Sequence, residues 1–215
     1  MRVNKLFSAL NMFSEFSIYR VAILTSLLIL SGCVSLPPGT GLNSPTNTKS
    51  LLNQKAWIGT VKLTDYSTEN KSIVEDSLRG NITAYIQQTG YFTETNTLPG
   101  KTGNNDWILD FQFDQYQQNR SMHPAYFPLA IATATLYIWF GGPIVVDSSE
   151  LSGTLTVKNS TGQTLLKTSS NVHEEHNVNF WSPDYILYDG NKPRTTLMDD
   201  LMSKVYTGIH SKINP

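Results

Sequence analysis

Two histidines that flank two glutamates form the cluster with metal-ligand chemistry in this sequence, His173-Glu174-Glu175-His176. On a helix, positions 173 and 176 share a face and can chelate a metal ion. The stretch continues a predicted strand, however, and an offset of three on a strand puts the two imidazoles on opposite faces. The spacing also differs from the zincin pattern, in which two residues separate His-Glu from the second His. We therefore favour a solvated strand end over a metal site.

Three aspartates, Asp106, Asp110 and Asp114, recur at even spacing along another predicted strand. Asp110 and Asp114 share its polar face, and paired carboxylates can perform acid–base chemistry. A solvated face is the commoner use of such a pattern. The sequence shows no Gly-rich phosphate loop, nucleophile elbow or Ser/His/Asp order. We therefore expect a non-enzymatic protein without a cofactor, and we keep a hydrolase or metal-binding protein that uses His173 and His176 as the alternative.

The hydrophobic pattern predicts the elements that position these residues. Residues 57–63 and 107–114 alternate as half-buried strands do. Further strands are predicted at 91–95, 150–159 and 164–172, the last two joined by a turn at 159–162. Two helices carry one apolar face each, the first with Val74, Leu78, Ile82, Tyr85 and Ile86, the second with Leu197, Leu201, Met202, Val205 and Ile209.

This element order predicts an α+β domain. We expect a mostly antiparallel sheet of about four to five strands, with the two amphipathic helices packed on it.

An uncharged insert, residues 121–146, interrupts the order of elements. Its apolar run 129–140 would reach about 18 Å as a helix, too short for a hydrocarbon core of about 30 Å. A buried core segment, a surface that docks on a membrane or protein partner, and an oligomer contact all remain open. In the docking or oligomer interpretation the contact residues are aromatic, namely Tyr126, Phe127, Tyr137, Trp139 and Phe140.

A second aromatic stretch, Trp181-Ser182-Pro183-Asp184-Tyr185 followed by Tyr188, is rich in turn residues. It is interpreted either as a loop that binds glycan or peptide, or as a packed Ω-loop.

The lone cysteine of the chain ends the stretch Leu30-Ser31-Gly32-Cys33, behind an apolar run and the basic residues Arg2, Lys5 and Arg20. This stretch resembles the lipobox of bacterial lipoproteins. The resemblance implies that a peptidase cuts before Cys33 and that its thiol carries a diacylglycerol, the only attached group expected. In lipoproteins of this kind an Asp directly after the lipidated cysteine tends to retain the protein in the inner membrane. Here that residue is Val34, so the resemblance implies the outer membrane, facing the periplasm.

The resemblance also divides the chain. Residues 1–32 are the expected signal peptide, starting at Met1 or Met12; 33–54 form a lipidated flexible tether, and 55–215 a single periplasmic domain. Removing the leader's three basic residues and one acidic residue leaves 13 Lys and Arg against 16 Asp and Glu, a net charge of −3. No basic tract remains, so we expect no nucleic-acid partner.

The order of elements in residues 56–120 and 148–212 resembles small envelope lipoproteins of the curli-secretion, penicillin-binding-protein-activator and exopolysaccharide-export types. This resemblance implies an envelope assembly or binding protein, held at the membrane by its lipid, with a protein partner or self-association. A ring-forming export component is a further alternative.

Overall fold

A computed structural model describes residues 34–35, 40–45, 52–65, 69–100, 103–185 and 190–213. The lipobox, Cys33 and Tyr188 lie outside these residues. In chain order the elements are β1 (Val34–Ser35), β2 (Leu52–Leu63), α1 (Lys71–Thr89), β3 (Phe92–Thr97), β4 (Trp107–Met122), α2 (Tyr126–Ala132), α3 (Leu136–Trp139), β5 (Pro143–Asn159), β6 (Thr164–Asn179), a short 3₁₀ turn (Pro183–Tyr185) and α4 (Asn191–Ile213).

The strands form one sheet in the order β3-β2-β4-β5-β6, and β1 also pairs with β4. The α+β class is confirmed, but the sheet is mixed rather than mostly antiparallel. β2 runs parallel to both of its neighbours, β3 and β4, whereas β4, β5 and β6 are antiparallel. For β2 and β3 the reason is the 19-residue helix α1 between them, since parallel neighbours need a long crossover connection.

The two predicted amphipathic helices pack together on one face of the sheet. Alternate residues of the central strands, among them Leu109, Phe111 and Leu155, point into this layer and are almost fully buried. The helices contribute their predicted apolar faces to the same core, from α1 Leu78, Ile82, Tyr85 and Ile86, and from α4 Leu197, Leu201, Met202, Val205 and Ile209. Helix α1 is capped at its C-terminus by Gly90, whose φ of 66° is left-handed.

A bulge changes the phase of β4 halfway along its length. Phe113 pairs with Gly153 and Gln115 with Ser152, so Asp114 is the extra residue. Beyond it Tyr116 and Gln118 take the buried positions of the strand. Polar residues therefore occupy the core side at this end of the sheet, where the apolar alternation of the sequence has ended.

Part of the segment predicted to be a tether, 34–54, lies against the domain. β1 pairs antiparallel with β4, Val34 opposite Arg120 and Ser35 opposite Asn119. Further along, the backbone N–H of Asn43 donates to Thr195 Oγ1 at 2.8 Å, and Arg194 Nε donates to the carbonyl of Gly41 at 3.0 Å. These contacts hold residues 40–45 beside α4.

The three long strands β4, β5 and β6 extend the sheet beyond the region that the helices α1 and α4 cover. Each has 16 or 17 residues, which corresponds to about 54 Å at 3.3 Å per residue. The far end holds α2, α3 and the segment after β6. No described helix has both the length and the apolar character needed to cross a membrane.

Candidate functional site: an exposed aromatic tip

Residues 126–140 and 180–185 meet at the far end of the sheet and are called the aromatic tip below. Leu129–Phe140 does not form a core segment, because of these residues only Ala130 is buried. The large apolar side chains of the tip that are exposed are Leu129, Ile131, Leu136, Trp139, Phe140, Phe180 and Trp181. A monomeric soluble protein rarely exposes a contiguous apolar surface of this kind without a role for it.

The aromatic residues predicted for contact divide into two groups. Trp139 and Phe140 are exposed, at 65% and 87% of their surfaces. Tyr126, Phe127 and Tyr137 are half-buried. The rings of Tyr126 and Phe127 contact each other with centroids 5.2 Å apart, and Tyr137 Oη donates to the carbonyl of Pro143 at 3.2 Å. Trp139 and Phe140 therefore present the tip surface, and the other three support it.

The second aromatic stretch joins the same surface. The ring of Trp181 lies 5.9 Å from that of Trp139, and its Nε1 donates to the Trp139 carbonyl at 3.4 Å. Phe180 contacts Trp181 at 5.2 Å and Tyr185 at 5.4 Å. In the sequence the two stretches are far apart, with Trp181 42 positions after Trp139. Their aromatic content is the signal that the two stretches share in the sequence.

The break between α2 and α3 has two consecutive left-handed residues, Ala134 with φ of 49° and Thr135 with φ of 73°. Neither is glycine, so this conformation is strained. Thr135 N–H donates to the carbonyl of Ala130 at 2.7 Å, and Tyr137 N–H donates to Thr133 Oγ1 at 3.0 Å. These bonds fold α3 back so that Trp139 reaches Trp181.

A buried ion pair forms the base of the tip. Arg120 and Asp147, the two charges that bound the uncharged insert in the sequence, are direct cross-strand partners. Arg120 Nε and Nη2 donate to Asp147 Oδ1 and Oδ2 at 2.6 and 2.8 Å, a bidentate geometry. The Asp147 side chain is fully buried. Arg120 Nη1 also donates to the carbonyl of Tyr185 at 3.0 Å, so one guanidinium joins β4, β5 and the 180–185 segment.

A second polar group lies beside this pair. Arg194 Nη1 donates to Gln118 Oε1 at 2.8 Å, and Gln118 Nε2 donates to the carbonyl of Gly190 at 3.0 Å. Both side chains are almost fully buried. The apolar pattern of the sequence does not mark this network, because polar Gln118 occupies a core position at the end of β4.

The structure separates the two candidate histidines. His173 pairs with Glu150 and His176 with Asp147. Direct partners point to the same side of a sheet, and Glu150 is exposed on one face whereas Asp147 is buried on the other. The imidazoles therefore lie on opposite faces and do not share a ligand. Within the described ranges, no group of three or more His, Cys, Asp or Glu side chains is placed to hold a metal ion.

The three aspartates each have hydrogen-bond donors within the sheet. Trp57 Nε1 donates to Asp106 at 2.7 Å, and Thr64 Oγ1 donates to Asp114 at 3.3 Å. Asp110 lies on the open face, where Lys158 Nζ donates at 2.6 Å and the backbone N–H of Thr60 at 2.7 Å. Partial burial raises the pKa of Asp110. The hydrogen bonds from Lys158 and Thr60 lower this pKa by more than burial raises it, so the net pKa lies below its usual value. This charge stabilises the sheet.

We expect Asp110→Asn to lower the free energy of unfolding by about 1–2 kcal/mol at neutral pH, because a charged hydrogen bond to Lys158 is lost. The folded-state pKa is depressed. The difference from wild type should therefore be complete above the unfolded pKa of about 3.9, decline below it, and vanish under the folded pKa. Urea unfolding at a series of pH values measures this. A difference that is equally large in strong acid would exclude the ion pair as its cause.

The comparisons with known proteins concern fold only. No family model matches this chain, and no curated protein matches it in sequence. Solved structures similar to it include a minor lipoprotein from Acinetobacter baumannii, with 12% identity, TM-score 0.37, and 75% of this chain and 94% of that chain covered. Rare lipoprotein B from Shewanella oneidensis has 9% identity and TM-score 0.32, covering 72% and 95%. The PelC dodecamer from Paraburkholderia phytofirmans has 8% identity and TM-score 0.42, covering 80% and 96%.

Two of these three structures are named as lipoproteins, the class that the sequence resembles. Identities and TM-scores are low, so the proposals below rest on this chain's own residues.

Proposed function

We propose that this chain is a lipid-anchored lipoprotein of the outer membrane, facing the periplasm, that acts by binding rather than by catalysis. The exposed aromatic tip is the observation that carries the binding role. Seven large apolar side chains there are exposed, whereas residues with catalytic chemistry have other roles or positions. The aspartates accept structural hydrogen bonds, and the two histidines lie on opposite faces of the sheet.

The lipobox supports the anchor. Cys33 follows Leu30-Ser31-Gly32 at the end of an apolar run and is the only cysteine of the chain, so its thiol has no cysteine within the chain with which to form a disulfide. One acyl chain holds a protein only weakly at a bilayer, whereas two or more hold it durably. A diacylglycerol on Cys33 therefore anchors the domain without a spanning segment.

The anchor is tested by the variant Cys33→Ser, expressed in cells fed an alkyne-labelled palmitate. Wild-type protein and the matched control Ser35→Ala, which keeps the cysteine, should take up the label, and Cys33→Ser should take up none. On a density gradient the labelled proteins should migrate with the outer membrane. Equal labelling of Cys33→Ser would refute the anchor, and migration with the inner membrane would refute the proposed location.

A further inference from the structure

We propose that the aromatic tip docks into the lipid bilayer, in the same leaflet that receives the lipid of Cys33, and so forms a second point of membrane attachment. This inference rests on the proposed lipid anchor. It adds that the domain is held at the membrane in one orientation, with the long axis of β4 rising from the bilayer and the helical layer held away from it.

The pairing of β1 places the anchor and the tip at the same end of the sheet. Val34 lies opposite Arg120 of β4, and the antiparallel direction of the pair points the preceding residue toward the end of β4 at Met122. Cys33 is one peptide unit from Val34, a Cα–Cα distance of 3.80 Å. β4 continues from Arg120 for two residues, about 7 Å, before the chain enters the tip. A lipid on Cys33 therefore begins within about 10 Å of the base of the tip.

The chemistry of the tip suits the interface between lipid headgroups and acyl chains. Residues 121–146 contain no Lys, Arg, Asp or Glu, so insertion desolvates no charged side chain of this segment. The charges at its two ends, Arg120 and Asp147, already neutralise each other. Trp139 and Trp181 are both exposed, and tryptophan, like tyrosine, is enriched at membrane interfaces. Amphipathic helices that lie in this interface bury their apolar face about 5–10 Å deep.

The position of the anchor favours a bilayer over a protein as the occupant. The base of the tip lies within about 10 Å of the inserted lipid, so the bilayer that receives this lipid is held next to the tip. The pairing of Val34 and Ser35 with β4 leaves only the Cys33–Val34 peptide between the lipid and the sheet. A second copy that bound the tip would have to exclude this bilayer contact.

Tryptophan quenching by brominated lipids tests the proposal, because the four tryptophans divide into two pairs. Trp139 and Trp181 are in the tip, whereas Trp107 is at the opposite end of β4 and Trp57 pairs beside it with Ile108. Trp107 is 13 residues from Arg120, about 40 Å along the strand. The far pair therefore serves as an internal negative reporter.

The acylated protein is purified from solubilised membranes and reconstituted into vesicles of dibrominated phosphatidylcholine, and the lipid on Cys33 is verified by mass. The variant Trp57→Phe/Trp107→Phe keeps only the tip tryptophans, and its fluorescence should be strongly quenched. The matched variant Trp139→Phe/Trp181→Phe should show quenching near background. Because residues 121–146 of the tip region contain no Lys, Arg, Asp or Glu, charge does not drive their insertion, and high salt should not change either result.

Absence of quenching in the variant that keeps Trp139 and Trp181, with acylation of Cys33 verified, would overturn the membrane docking and leave the anchor intact. The same absence combined with dimeric protein in detergent would assign the tip to a second copy instead. If the purified protein lacks the mass of the acyl groups on Cys33, the proposed lipid anchor is refuted before the vesicle experiment begins. The two proposals therefore fail separately.

Discussion

Replacing Arg120 by alanine should lower the free energy of unfolding by about 3–5 kcal/mol, because the charge of Asp147 is then left buried without its partner. The Asp147 side chain is fully buried, and Arg120 satisfies both of its oxygens. The same change removes the donor to the carbonyl of Tyr185. Since whole domains are stable by only about 5–15 kcal/mol, this loss is a large share of the total.

Urea unfolding followed by circular dichroism measures the effect of Arg120→Ala. The matched control is Lys55→Ala, which breaks the exposed ion pair between Lys55 and Glu94 and should leave the midpoint nearly unchanged. The double variant Arg120→Met/Asp147→Leu should recover most of the loss, because apolar residues can replace a buried ion pair. Equal midpoints for Arg120→Ala and Lys55→Ala would contradict the role assigned to the pair.

Phe111→Ala should cost about 3–5 kcal/mol, through lost burial and the cavity left behind. Phe111 is 2% exposed and stacks on Phe113 with ring centroids 6.3 Å apart. It lies in the core shared by β4, α1 and α4, so little can move to fill the space.

The matched control for this core substitution is Phe140→Ala at the tip, where the same ring is removed from a side chain that is 87% exposed. Its stability should change by less than about 0.5 kcal/mol, as for other surface substitutions. Thermal or urea unfolding of both variants gives the comparison. A Phe140→Ala loss as large as that of Phe111→Ala would show that the tip belongs to the folding core.

Hydrophobic periodicity in the sequence predicts those helices and strands whose buried and exposed residues follow the regular helical or strand period. The apolar faces of both helices and the alternation of 107–113 are found as expected. The prediction of strand β4 ended near Asp114 because the bulge there shifts the phase, and Gln118 then occupies a buried position. The apolar pattern of the sequence does not mark core positions filled by polar residues.

The direction of the strands was predicted less well. The sequence predicts the long helix between two strands, but the prediction of a mostly antiparallel sheet is wrong, because the sheet is mixed. A helix of this length between neighbouring strands favours a parallel pair, and β2 is parallel to both β3 and β4. The register of these pairs depends on contacts between distant residues, so local periodicity does not determine it.

The sequence predicts which residues belong to the candidate site but does not predict which of them contact one another. The uncharged insert and its aromatic residues were visible in the sequence, and so were the two charges that bound it. Their pairing as Arg120–Asp147, and the meeting of Trp139 with Trp181, depend on the register of β4, β5 and β6. The opposite orientation of His173 and His176 follows from their odd spacing on any strand, and the observed register of β6 agrees with it.

The central claim is that a lipid on Cys33 holds this domain at the membrane. Mass spectrometry of the N-terminal peptide of the protein isolated from membranes tests it most directly. We expect a peptide that begins at Cys33 and carries a diacylglycerol on its thiol. A peptide that continues upstream through Ser31 and Gly32, with an unmodified Cys33 thiol, would contradict the anchor and the orientation inferred from it.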